Sequence, residues 1–106
     1  MKLVLLVDGK EVGEFELGQG SNLIGRWDPV TKSFPEIDLE DFDTEALVSR
    51  RHAVLSLRDE GISLEDLGST NGTFLSGGKK LEAGTFAPLL PNAEFFVGNL
   101  RLKLLA

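Results

Sequence analysis

Residues 53–66 read Ala-Val-Leu-Ser-Leu-Arg-Asp-Glu-Gly-Ile-Ser-Leu-Glu-Asp. Ala53–Arg58 alternates as a β-strand does, because successive side chains of a strand point to opposite faces. Asp59-Glu60-Gly61 is a turn, and Ile62–Asp66 reads as the returning strand. The rest of the chain repeats this pattern of short apolar runs and turn residues. Lys2–Val7 is a strand followed by Asp8-Gly9, the dipeptide favoured in a two-residue hairpin turn because both positions take positive φ. Glu11–Leu17 returns from it, with Gly13 as a candidate bulge. Asn22–Arg26, Thr73–Leu75, Thr85–Leu90, Glu94–Val97 and Leu100–Leu105 complete the series. No segment carries an apolar stripe of helical period. About ten short strands with turn signals between them predict an all-β sandwich or barrel. The interval from Trp27 to Val48 reads as a long surface loop with one brief strand around Glu36–Leu39.

The chain has 106 residues, the size of one domain, and is expected to fold as a single unit over 1–106. It contains no cysteine, which excludes thiol catalysis, cysteine metal sites and disulfides and fits a reducing compartment. Lys2–Val7 is too short for a signal sequence or a membrane span, so a soluble, cytoplasmic protein is expected. A formal net charge of −6 opposes non-specific binding to nucleic acid, which requires many phosphates to be neutralised together. The charge is uneven. Glu36, Asp38, Glu40, Asp41, Asp43 and Glu45 crowd one segment, and Arg50-Arg51 follow. If that acidic loop lies near a binding rim, it favours partners with basic flanks.

Three polar clusters sit where strands meet loops: Gly25-Arg26, Ser49-Arg50-Arg51-His52, and Asp66 through Thr73 (Asp-Leu-Gly-Ser-Thr-Asn-Gly-Thr). Gathered at one end of a sandwich, they would form a small, locally cationic site. Asn71-Gly72 reads both as a hairpin turn and as part of that site.

Enzymatic readings fail on chemistry. Ser49 and His52 lack a nucleophile elbow or an oxyanion-hole sequence around them. Gly18-Gln19-Gly20 opens like a dinucleotide fingerprint, but position 23 is leucine and no helix follows. No Walker lysine follows a glycine loop. An EF-hand register from Asp41 would place Ala46 where glycine belongs and His52 where glutamate belongs. No catalytic residue, metal ligand or cofactor site is therefore assigned, and no small-molecule substrate.

In order and spacing, the three clusters resemble the signature of the forkhead-associated (FHA) domain family: a Gly-Arg pair, then Ser-Arg-x-His, then Asp-x-x-Ser-x-Asn-Gly-Thr. The resemblance extends to Asn92–Lys103, similar to the family's closing hairpin. It implies a twisted antiparallel β-sandwich of about eleven short strands that binds phosphothreonine peptides through loops at one end. On that resemblance Arg26, Ser49, Arg50, Thr70 and Asn71 are the peptide-binding residues. The chemistry suits them: a phosphothreonine carries about −1.5 to −2 charge and three acceptor oxygens. A guanidinium answers it with parallel charge-assisted donors, hydroxyls of Ser49 and Thr70 add short donors, and Asn71 offers both donor and acceptor to a peptide backbone. Gly25, His52, Gly72 and Thr73 support the site, His52 by tying the recognition loops together. Many family members carry a second asparagine before glycine where this chain has Ser76-Gly77. The implied function is that of an adaptor in signalling, not an enzyme. The alternative is a scaffold of the same fold that binds an unphosphorylated surface.

Overall fold

The computed structural model describes residues 1–106 and contains ten strands: β1 (Lys2–Val7), β2 (Lys10–Glu16), β3 (Gly20–Gly25), β4 (Ile37–Asp38), β5 (Arg51–Arg58), β6 (Gly61–Asp66), β7 (Thr73–Leu75), β8 (Phe86–Leu89), β9 (Glu94–Val97) and β10 (Leu100–Leu105). They form two five-stranded sheets, ordered β2-β1-β10-β9-β7 and β4-β3-β5-β6-β8. Every pairing is antiparallel except β3 with β4. The count is ten, not eleven. Asp28 with Ser33 and Phe74 with Lys80 pair only as isolated bridges, too short to make a further strand. No helix is long and apolar enough to cross a membrane.

The β5–β6 hairpin pairs Arg58 with Gly61 and Ala53 with Asp66, as the alternation of residues 53–66 predicts. Leu3 and Leu5 of one sheet, with Phe95, Val97, Leu102 and Leu104, face Ile24, Ala53, Leu55 and Leu64 of the other, all buried in one core. At the first hairpin Asp8 and Gly9 take φ of 52° and 77°, the mirror-image turn that matches strand twist. Opposite Leu5 and Leu6 the register skips from Gly13 to Glu11, so the bulge lies at Val12-Gly13. Gly18-Gln19-Gly20, which mimics a nucleotide loop, is a turn between sheets. The buried Asn22 side chain accepts from Gly18 N and donates to the carbonyls of Gly18, Gly20 and Leu55.

The interval from Trp27 to Val48 is mostly exposed loop with one brief strand, β4, as the sequence predicts. It is pinned to the sandwich by Ile37, Leu39 and Val48, which are buried in the core, and by Phe42, which packs against it. One sequence expectation needs correction. Asn71-Gly72 is not a hairpin turn, because β6 and β7 belong to different sheets. It lies in the crossing between them, where Gly72 holds φ of +90°.

Candidate functional site

Arg26, Ala46, Val48, Ser49, Arg50, Thr70 and Asn71 line one open cavity of about 320 Å³. It draws on three segments: the end of β3, the chain leading into β5, and the β6–β7 crossing. Every residue expected to bind a peptide is among them. Larger concavities exist, such as one of about 560 Å³ beside Asp66 and Lys80. Size does not decide the matter. The smaller cavity alone gathers two arginines, two hydroxyls and a carboxamide.

His52 holds two of the segments together. It is fully buried; its Nδ1 accepts the Ser49 amide at 3.0 Å and its Nε2 lies 2.8 Å from the Gly72 carbonyl. A backbone amide can only donate, so Nδ1 carries the lone pair and Nε2–H donates to Gly72. The ring is neutral. Burial is the largest influence and pushes its proton affinity below the ordinary histidine value, against the opposing pull of the Gly72 carbonyl and of Asp66 and Asp43. Gly72 O also accepts the Gly98 amide at 3.0 Å, tying the crossing to the β9–β10 turn.

The β6–β7 crossing is wound around Asp66. One carboxylate oxygen accepts the amides of Gly68 and Ser69, and the other accepts the hydroxyls of Ser69 at 2.5 Å and Thr73 at 2.7 Å. Burial alone would raise the Asp66 carboxyl, but these hydrogen bonds outweigh it and hold the group below its usual range. Ser69 Oγ in turn accepts the Gly72 amide. The result presents Thr70 and Asn71 outward. Asn71 is anchored by donating to the Leu47 carbonyl at 3.1 Å, which leaves its second N–H and its oxygen unused within the chain. Ser49 Oγ accepts the Thr70 amide at 3.2 Å and keeps its own proton to donate. No buried side-chain nitrogen or oxygen lacks a partner.

Gly25 is set by space. An added Cβ there would lie 1.9 Å from the Arg50 carbonyl oxygen, while the Arg26 amide donates to that same oxygen at 3.1 Å. The β3 end and the Ser49–Arg51 segment can approach this closely only through glycine.

The sequence reading expects a cationic pocket, and here the structure differs. Arg26 Nε donates to the Val48 carbonyl at 2.6 Å, and two carboxylates flank the guanidinium. Asp43 Oδ2 lies 3.6 Å from Nε, and Glu40 Oε2 lies 3.3 Å from Nη1. Asp43 is a fixed part of the fold: its side chain is 1% exposed, and its two oxygens accept the amides of Leu47 and Val48. Most of the acidic run is similarly engaged. Glu36 accepts the Leu23 amide, Asp38 accepts the Glu40 amide, and Glu45 accepts from Asn99 Nδ2. Sequence reasoning missed Asp43 because charge alone does not distinguish it from its neighbours. Asp66 and Ser69 stood inside the third cluster, but only the winding of the crossing assigns them work.

The FHA domain family model matches residues 22–98, which include all three polar clusters. The chain belongs to the FHA family. FHA domains are protein-interaction modules. This FHA domain is 31% identical over 78 residues to protein FraH of Nostoc sp. strain PCC 7120, covering 74% of the chain. The chain spans only 24% of FraH. The FHA domain of CT664 from Chlamydia trachomatis superposes with a TM-score of 0.75 at 29% identity, over 99% of this chain and 95% of that one. An FHA domain from a structural and functional study of phosphothreonine-dependent interactions superposes with a TM-score of 0.73 at 27% identity, covering 99% and 94%.

Two predictions follow from this geometry. Gly25→Ala forces the β3 end away from Arg50; such overpacking costs about 1–3 kcal/mol, which lowers Tm by roughly 4–8 °C per kcal/mol in a domain of this size. A melting curve matching the wild type would refute the close-approach account. The second concerns pH. His52 binds a proton less readily folded than unfolded, so stability is full above the unfolded value of about 6.5 and falls as pH drops through it. It is the only histidine in the chain, so His52→Gln removes this slope between about pH 7.5 and 5. Denaturation midpoints measured across that range decide it; the same slope in both proteins would contradict the assignment.

Proposed function

We propose that this FHA domain captures phosphothreonine in a partner protein, acting over residues 1–106 as one adaptor module in signalling. The observation that carries the reading is the convergence of Arg26, Ser49, Arg50, Thr70 and Asn71 on a single rim cavity. A cavity of about 320 Å³ stands at the lower end of small-ligand sites, suited to one phosphorylated side chain and not to several peptide residues. The relative studied for phosphothreonine-dependent interactions supports the same reading.

The roles follow from the donors. The Nη groups of Arg26 take two phosphate oxygens, with charge-assisted bonds of about 1.5–3 kcal/mol each. The Ser49 hydroxyl donates to the phosphate from a position fixed by the Thr70 amide, and the Thr70 hydroxyl is a further donor. Asn71, held on Leu47, uses its remaining N–H and oxygen on the peptide backbone and sets its register. Arg50 is exposed at the mouth and reaches the peptide beside the phosphate. Ala46, exposed beside the buried Val48, is the accessible apolar side chain of the lining, and it receives the threonine γ-methyl.

Isothermal titration with matched phosphorylated and plain peptides tests the reading. Only the phosphorylated peptide binds, and Arg26→Ala removes that binding on a protein that still melts cooperatively. Affinity within twofold of wild type would remove Arg26 from the site. Ser49→Ala and Thr70→Ala weaken binding less, because water partly replaces a neutral hydroxyl.

Phosphothreonine is preferred over phosphoserine. One methyl in an apolar pocket is worth about 1–3 kcal/mol, or roughly 10–200-fold. Equal affinities for matched peptides would show that Ala46 does not receive the methyl.

A further inference from the structure

Glu40 is the one carboxylate at Arg26 that is free to leave. Its side chain is 47% exposed, and the only side-chain contact it makes is with Arg26 Nη1. At 3.3 Å the contact is longer than the roughly 2.7–2.9 Å of a strong charge-assisted bond. Asp43 is its opposite, buried and held by two backbone amides. The Arg26 Nε is committed to the Val48 carbonyl, so the Nη groups are what the arginine presents to a ligand. Glu40 sits on one of them. A carboxylate there and a phosphate of nearly two negative charges repel each other across a single guanidinium.

We infer that Glu40 is an internal competitor for the phosphate. It occupies the ligand's place on Arg26 in the free domain and is displaced when a phosphothreonine enters, which sets the threshold of affinity. The inference rests on the phosphothreonine reading of the cavity. Its physical content is a charge-for-charge exchange. Arg26 exchanges a weak, half-exposed monoanion for a ligand of higher charge held by further donors from Ser49 and Thr70. Asp43 remains behind Arg26 in both states and keeps the guanidinium oriented.

Glu40→Gln tests this, because glutamine keeps the shape and hydrogen-bonding reach of the side chain without its charge. Titration uses a phosphothreonine peptide with uncharged flanks. The variant binds about two- to fivefold more tightly than wild type at low ionic strength, the scale of a half-exposed ion pair, and the gain shrinks in high salt. Asp41→Asn is the control: Asp41 lies next in the chain and makes no hydrogen bond or ion pair, so its neutralisation gives a clearly smaller gain. Equal or weaker binding by Glu40→Gln overturns the inference, as does an equal gain from Asp41→Asn, which would assign the effect to the general charge of the loop. A wild-type domain that fails to bind the phosphorylated peptide at all overturns instead the reading of the cavity on which the inference rests.

Discussion

A neutral imidazole with both nitrogens on backbone groups from two different loops is the constraint on which the binding rim depends. The Ser49 amide and the Gly72 carbonyl belong to segments far apart in sequence, one leading into β5 and the other crossing between the sheets. His52 fixes their separation from a wholly buried position. The groups that line the cavity are set at one remove. Ser49 steadies the Thr70 amide, Gly72 connects to Gly98, and Asn71 is tethered to Leu47. Losing the imidazole would leave the part-buried Ser49 amide unpaired, at about 1–3 kcal/mol, whereas the Gly72 carbonyl would keep the Gly98 amide. The same bond pattern explains why the site favours a neutral ring. A proton on Nδ1 would face the Ser49 amide head-on.

Electrostatics at the rim are divided between fixed and movable charge. Asp66 and Asp43 are carboxylates used as scaffolding, each gathering backbone amides into a loop, and neither faces solvent. Glu40 and Arg50 stay exposed and available. A domain with a formal charge of −6 can therefore present an arginine at the rim, because most of the nearby carboxylates are engaged in hydrogen bonds within the chain. What acts on an incoming ligand is local geometry, and screening over about 8 Å limits the influence of the rest.

Much of this was legible from residue types. The period-two alternation of residues 53–66 places a hairpin with its register, and Asp8-Gly9 places another with its turn type, because both are local consequences of backbone sterics. The three polar clusters could be read as one site because each stands at a strand end. What the residues alone could not show is which acids are buried. Asp43 and Asp41 differ by two positions and not at all in charge, and only the packing of Phe42 and Val48 turns one inward. The fate of Asn71-Gly72 was equally hidden. A turn dipeptide is the same whether the chain doubles back or crosses to the opposite sheet, and that choice is made by the partner strands. Gly25 lies between these cases. Its pairing with Arg26 was visible, but the reason for glycine is the Arg50 carbonyl, from a segment well separated in sequence.

The central claim is that ligand enters at the cavity between the β3 end, the Ser49 segment and the β6–β7 crossing. The most direct measurement is a nitrogen–proton NMR titration of the domain with a phosphothreonine peptide, following backbone amides and the arginine Nε signals together. The account predicts that the largest shifts fall on Ser49, Arg50, Thr70 and Asn71 and on the Arg26 side chain, and that the β8 strand stays still. Shifts concentrated instead around Phe86–Leu89, with the Arg26 and Thr70 signals unmoved, would contradict it.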